Sequence, residues 1–128
     1  MSKLLKPLAI VLFLSTSLFT TLQAQDADNM SKLDMFIGQW ETEDSFVKMV
    51  FFKDRNNQLQ MVAWDTNDGE EMVIEKLEVD GDDIKTTEKM VSSDWTTYNT
   101  YIIVDENTIK NVVDGDAGGV TIMLTRLK

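Results

Sequence analysis

From Gly38 onward, turn-forming clusters recur about a dozen residues apart, and this rhythm constrains the fold more than any other feature of the chain. The clusters are Glu43-Asp44, Asn56-Asn57, Asp68-Gly69, Asp80-Gly81, Ser92-Ser93-Asp94, Asp105-Glu106-Asn107 and Asp114-Gly115. Seven turns separate eight segments, the spacing of short antiparallel strands joined by hairpins. Three of the clusters are Asp-Gly pairs, which suit two-residue type I′ turns because both central positions need positive φ. Between the turns lie "FVKMVFF", "QLQMVAW", "MVIEKLEV", "IKTTEKMV", "WTTYNTYIIV", "TIKNVV" and "GVTIMLTRL". Their β-branched and aromatic residues favour a pleated surface. In the last, Val120, Ile122, Leu124 and Arg126 share one face, and Thr121, Met123, Thr125 and Leu127 share the other. The single proline is Pro7, so every segment keeps its ladder donors.

Eight consecutive antiparallel strands form a meander, and an open meander has two edges to protect. Closure removes both. The predicted fold is therefore all-β, an eight-stranded antiparallel up-and-down barrel over residues 38–128. Two stacked sheets with the same hairpins are the alternative. Residues 25–37 precede the barrel. There Leu33, Phe36 and Ile37 recur at helical spacing behind Ser31, an N-cap residue type, and predict a short helical turn from about Ser31 to Phe36.

Residues 1–24 read as a secretory signal peptide: Lys3 and Lys6, an apolar run from Leu8 to Phe19, then small and polar residues ending at Ala24. Leu22 and Ala24 occupy the −3 and −1 positions, with cleavage expected before Gln25. The apolar run is short for a membrane span of roughly 20 residues, and the chain has no cysteine to carry a lipid. The expectation is export to the periplasm or beyond, without stable membrane insertion after cleavage. Loss of Lys3 and Lys6 takes the net charge from −10 to −12. Such an acidic surface repels nucleic acid and anionic headgroups, so no nucleic-acid partner is expected.

The chain has neither Cys nor His. That removes the Ser-His and Cys-His nucleophile pairs, imidazole and thiolate metal sites, and the usual haem ligands. No catalytic residue, cofactor or metal site is expected, and the chain does not read as an enzyme. "DGDAGG", Asp114 to Gly119, has acids at calcium-loop spacing but lacks the later ligands of such a loop and reads as a hairpin.

"FIGQW", Phe36 to Trp40, resembles the Gly-x-Trp signature that opens the first strand of lipocalins and their calycin relatives. The resemblance implies that Trp40 packs across the closed end of the barrel beside Gly38. It also implies a basic residue from a late strand over the indole, and Arg126 in "LTRLK" is the matching candidate. A guanidinium over an indole face is a cation–π contact, and its other donors can reach carbonyls at the barrel end. The chain is short for a lipocalin and looks closer to the compact lipocalin-like domains of bacterial exported proteins. Fatty-acid-binding relatives carry Arg-x-Tyr on the last strand, where this chain has Arg126-Leu127-Lys128.

The expected function is non-covalent binding of an apolar or amphipathic small molecule inside the barrel. Phe52, Met61, Trp64, Met72, Met90, Tyr98 and Tyr101 are the candidate lining, as adaptable thioethers and aromatics with polar tips. The acidic hairpins would rim the open end and suit neutral or cationic ligands better than anions. The alternative is a filled barrel acting as a protein-interaction module, for instance as a homodimer. The segment Phe46–Phe52 supports it, being apolar on both faces, and its inward side is not decided by the sequence. An interior below about 300 Å³ would leave no room for a typical ligand.

Overall fold

Each of the eight apolar segments forms a strand in the computed structural model, which describes residues 32–128. The signal segment 1–24 and the capping position Ser31 lie outside the described residues. The strands are β1 (Gly38–Thr42), β2 (Val47–Lys53), β3 (Leu59–Asp65), β4 (Val73–Asp80), β5 (Asp83–Met90), β6 (Trp95–Asp105), β7 (Thr108–Gly115) and β8 (Val120–Arg126). Before β1, the backbone N–H groups of Phe36 and Ile37 donate to the carbonyls of Leu33 and Asp34, both at 3.1 Å. This is the helical turn expected from the sequence. No helix of the described residues is long and apolar enough to cross a membrane.

All eight strands belong to one antiparallel sheet, in the order β3-β2-β1-β8-β7-β6-β5-β4. Every ladder joins strands consecutive in the chain except β1–β8, where Trp40 pairs with Arg126 and Thr42 with Leu124. The result is a nearly closed barrel with one seam. Strands β3 and β4 follow each other in sequence, yet beyond a single bridge, Trp64 to Glu71, they form no ladder. Strand β4 is suited to an edge: it carries Glu75, Lys76, Glu78 and Asp80, and its ladder to β5 is bulged between Ile74 and Lys76.

The turns differ from expectation in one respect. Of the three Asp-Gly pairs, only Asp80-Gly81 borders a two-residue connection, since Asp80 pairs with Asp83 across Gly81 and Asp82. Gly81 has φ +63° and Asp82 is not in the positive-φ region, so glycine leads the turn and a type I′ geometry does not form. Asp68-Gly69 lies in a longer connection, and Asp114-Gly115 ends β7 ahead of a connection in which Gly118 and Gly119 also take positive φ.

Alternation sorts the barrel into an inner and an outer face. On β2 the inward residues are Val47, Met49 and Phe51, and the outward ones are Lys48, Val50 and Phe52, which settles the side left open by the sequence. Phe36, Trp40, Phe51, Ile84, Ile109 and Leu124 are fully buried with Tyr101 in a single cluster. Phe51 lies between two rings, 5.4 Å from both Phe36 and Tyr101. Each such side chain contributes about 1.5–3 kcal/mol by leaving water, which lets a chain without disulfides hold its fold.

Candidate functional site

The two ends of the barrel are built differently. At the end where β1 begins and β8 finishes, Arg126 lies over Trp40, its guanidinium carbon 4.3 Å from the ring centroid. Its nitrogens donate to the carbonyls of Ile37 (2.8 Å), Met35 and Glu106 (2.8 Å). The Trp40 indole donates to the carbonyl of Phe36 at 2.8 Å. Gly38 completes the plug. Its φ is +133°, and a Cβ there would stand 2.6 Å from Arg126 Nη1. The Gly-x-Trp pattern thus has a local cause: the glycine leaves room for the arginine that covers the tryptophan.

The opposite end is rimmed by residues 43–46, 66–72, 91–94 and 116–119. These connections carry Glu43, Asp44, Asp68, Glu70, Glu71, Asp94 and Asp116, and contain no Lys or Arg. Glu70 ties two of them together by accepting from the Ser92 amide (2.9 Å) and hydroxyl (2.6 Å). In the "DGDAGG" connection, Asp116 accepts from the Thr96 amide at 2.8 Å. Among the described residues no group of three or more acids is placed to hold a metal ion.

Between these connections opens a cavity of about 200 Å³. Its walls are Val47, Met49, Met72, Met90, Val113, Ala117 and Ile122, with Trp95 at the rim. Thr42, Glu88, Lys89, Thr97, Asn99, Tyr101 and Asn111 complete the lining. The volume is below the ~300 Å³ at which drug-sized sites begin, yet above the ~150 Å³ of an apolar cavity that holds benzene.

Of the residues predicted to line a site, the structure brings together Met72, Met90 and Tyr101. Met61 faces inward but sits in the packed core, outside the cavity lining. Phe52, Trp64 and Tyr98 are corrections, because all three point outward. Strand parity decides this: their neighbours Phe51, Ala63 and Asn99 are buried inside, so the next side chain must emerge on the outer face. Phe52 and Tyr98 are accordingly exposed.

The lining residues absent from the sequence expectation are the apolar Val47, Met49, Trp95, Val113, Ala117 and Ile122 and a set of polar side chains. Glu88 is 5 % exposed, and its Oε2 accepts from the Tyr101 hydroxyl at 2.6 Å and from the Thr86 hydroxyl. Burial pushes the Glu88 carboxyl above its ordinary range, against the lowering effect of those two bonds. Burial, then the neighbouring Glu88, raises the Tyr101 phenol well above its own. Beside them, Asn111 Nδ2 donates to Asn99 Oδ1 (3.2 Å), and Asn99 Nδ2 donates to Thr97 Oγ1 (2.9 Å). Asn111 Oδ1 is buried without a partner. Lys89, the one cation in the lining, pairs with Asp94 at 3.1 Å. Alternation alone marks these polar residues. Glu88 shares a face with Ile84 and Met90, Asn99 with Tyr101, and Asn111 with Ile109 and Val113, so each is a polar residue on an otherwise inward run.

Apolar walls above a small polar floor can orient a bound molecule without reacting with it. No family model and no curated protein matches the chain. Among solved structures, the crystal structure of Treponema pallidum pallilysin aligns with 87% of this chain and 97% of its own, at 12% identity and a TM-score of 0.47.

Proposed function

We propose that this protein is an exported barrel of the lipocalin-like kind that binds a compact amphipathic small molecule in its open end. One observation carries the reading: a half-open cavity of about 200 Å³ with thioether and aliphatic walls ends on the buried polar side chains Glu88 and Asn111. A core selected only for stability has little reason to leave Asn111 Oδ1 unsatisfied, since a buried orphan acceptor costs about 1–3 kcal/mol. The volume narrows the expected ligand from a lipid-like molecule to one of about a single ring. Trp40, Arg126 and Gly38 close the far end and belong to the fold. Binding involves no covalent chemistry and no cofactor.

The test is calorimetry and native mass spectrometry with single-ring compounds, namely toluene, benzyl alcohol, benzylamine and phenylacetate. At least one should bind saturably, and Met72→Trp, at the mouth, should weaken it at least tenfold. If none binds, the cavity is only a packing defect. A second reading, a homodimer formed through the outer face, draws on Val50, Phe52, Val62 and Trp64, which stand side by side on β2 and β3. Light scattering separates the two readings: a dimer converted to monomer by Phe52→Ser favours the interaction module.

A further inference from the structure

We infer that the cavity selects a cationic ligand, a primary ammonium or amidinium group carried on a compact apolar body. The inference rests on the binding reading above and adds the chemistry of the ligand's polar end. It follows from the direction in which the buried hydrogen bonds run.

The hydrogen bonds within the floor converge on one carboxylate and run along one asparagine chain. The Tyr101 and Thr86 hydroxyls donate to Glu88, the Asn111 amide donates to Asn99, and the Asn99 amide donates to Thr97. Acceptor capacity is left at two places, Asn111 and Glu88. Asn111 Oδ1 is unpartnered, its residue is 5 % exposed, and it lines the cavity. The Glu88 carboxylate lines the same cavity, and both of its internal bonds end on the single oxygen Oε2. A ligand reaching this floor meets acceptors, so it needs several donors on one small group, and an ammonium or amidinium supplies them. An anion would meet lone pairs and a carboxylate at short range in a poorly solvated site, which is strongly unfavourable.

The rim has the same preference. Its four connections carry seven acids (Glu43, Asp44, Asp68, Glu70, Glu71, Asp94 and Asp116) and no basic residue. A mouth of one sign focuses field toward its interior and speeds capture of the opposite charge. Lys89, the only cation in the lining, is occupied by Asp94. The apolar walls take the body of the ligand and limit it to about one ring.

The experiment is isothermal titration of the full chain at neutral pH with toluene, benzyl alcohol, phenylacetate and benzylamine, which share a ring and differ in polar end. Benzylamine, cationic at that pH, should bind at least about tenfold more tightly than toluene, the effect of one charge-assisted hydrogen bond. Phenylacetate should bind more weakly than toluene. In Glu88→Gln the ratio of benzylamine to toluene affinity should fall about tenfold. Asn111→Leu should lower it severalfold, a second route if the first variant does not fold by circular dichroism. Equal binding of benzylamine and toluene would overturn the cation inference while leaving the cavity a binding site. Preference for phenylacetate would also overturn it, by showing that the asparagine chain runs the other way and presents an amide donor. Failure of all four compounds would overturn the binding reading itself, and this inference with it.

Discussion

Replacing Arg126 with methionine keeps an unbranched stem of similar length and removes only the guanidinium. Three hydrogen bonds to backbone carbonyls disappear, to Met35, Ile37 and Glu106, together with the cation–π contact to Trp40. At a net ~1 kcal/mol per hydrogen bond and ~0.5–1 kcal/mol for a partly exposed cation–π pair, the loss is about 3–4 kcal/mol. That is a large share of the roughly 5–15 kcal/mol that holds a small domain folded. Urea denaturation followed by far-UV circular dichroism measures it as a lower midpoint at an unchanged slope. Arg126→Lys separates the components. It keeps a positive charge near the indole, but a single ammonium cannot reach three carbonyls in the fork geometry of guanidinium, so it should recover less than half. A loss below about 1 kcal/mol for Arg126→Met would refute the view that this residue fastens the segment before β1 and the β6–β7 connection to the barrel end.

The same plug predicts that Gly38→Ala lowers stability by about 2 kcal/mol or more. A Cβ would meet a guanidinium already held by its other bonds, at a φ of +133° that alanine resists. Thermal melting checks this, and an unchanged midpoint would refute it. Glu88→Gln should change the pH dependence of stability. Because burial raises the folded carboxyl above its ordinary value near 4.5, the native state holds this proton more tightly than the unfolded chain does. Stability contributed by that proton is present at low pH and fades as pH rises through the folded value. Every tenfold of extra proton affinity is worth about 1.4 kcal/mol, so the glutamine variant should match the wild type near pH 4 and exceed it at neutral pH. The groups that bond this carboxyl, Tyr101 and Thr86, are unaltered, and parallel stability curves for the two proteins would sink the argument. For the proposed export, intact-mass measurement of protein recovered from the envelope fraction should place the mature N-terminus at Gln25.

The strand count and the barrel end were legible in the sequence because they depend on local and repetitive signals. Turn residues mark the hairpins, alternation marks the faces, and the resemblance of Phe36–Trp40 to a Gly-x-Trp signature, with Arg126 on the last strand, pointed to the plug. The cavity was less legible. Phe52, Trp64 and Tyr98 were chosen for side-chain type, whereas inward orientation is decided by strand parity, which turns on where each ladder begins. Parity was readable for Glu88, Asn99 and Asn111 from the apolar residues two positions away, yet a polar residue on an inward run is easily taken for a solvated one. The seam between β3 and β4 was hard to read, because the Asp68-Gly69 turn between them looks like those of the hairpins and only the charges on β4 mark an edge. Their separation follows from how the whole sheet twists and closes, and from the bulge between Ile74 and Lys76.

That seam makes the chain a permuted meander. Read in space from the β4 edge, the strands run β4-β5-β6-β7-β8-β1-β2-β3, the chain order with its starting point moved. A version of residues 33–128 opened between Asn67 and Asp68, with a short flexible linker joining Lys128 to Leu33, would place all seven ladders between sequential neighbours. The β1–β8 pairing, which now closes a loop of most of the barrel, would become one more hairpin. Relative contact order would fall, and refolding measured by stopped flow should speed up while the native ladders stay the same.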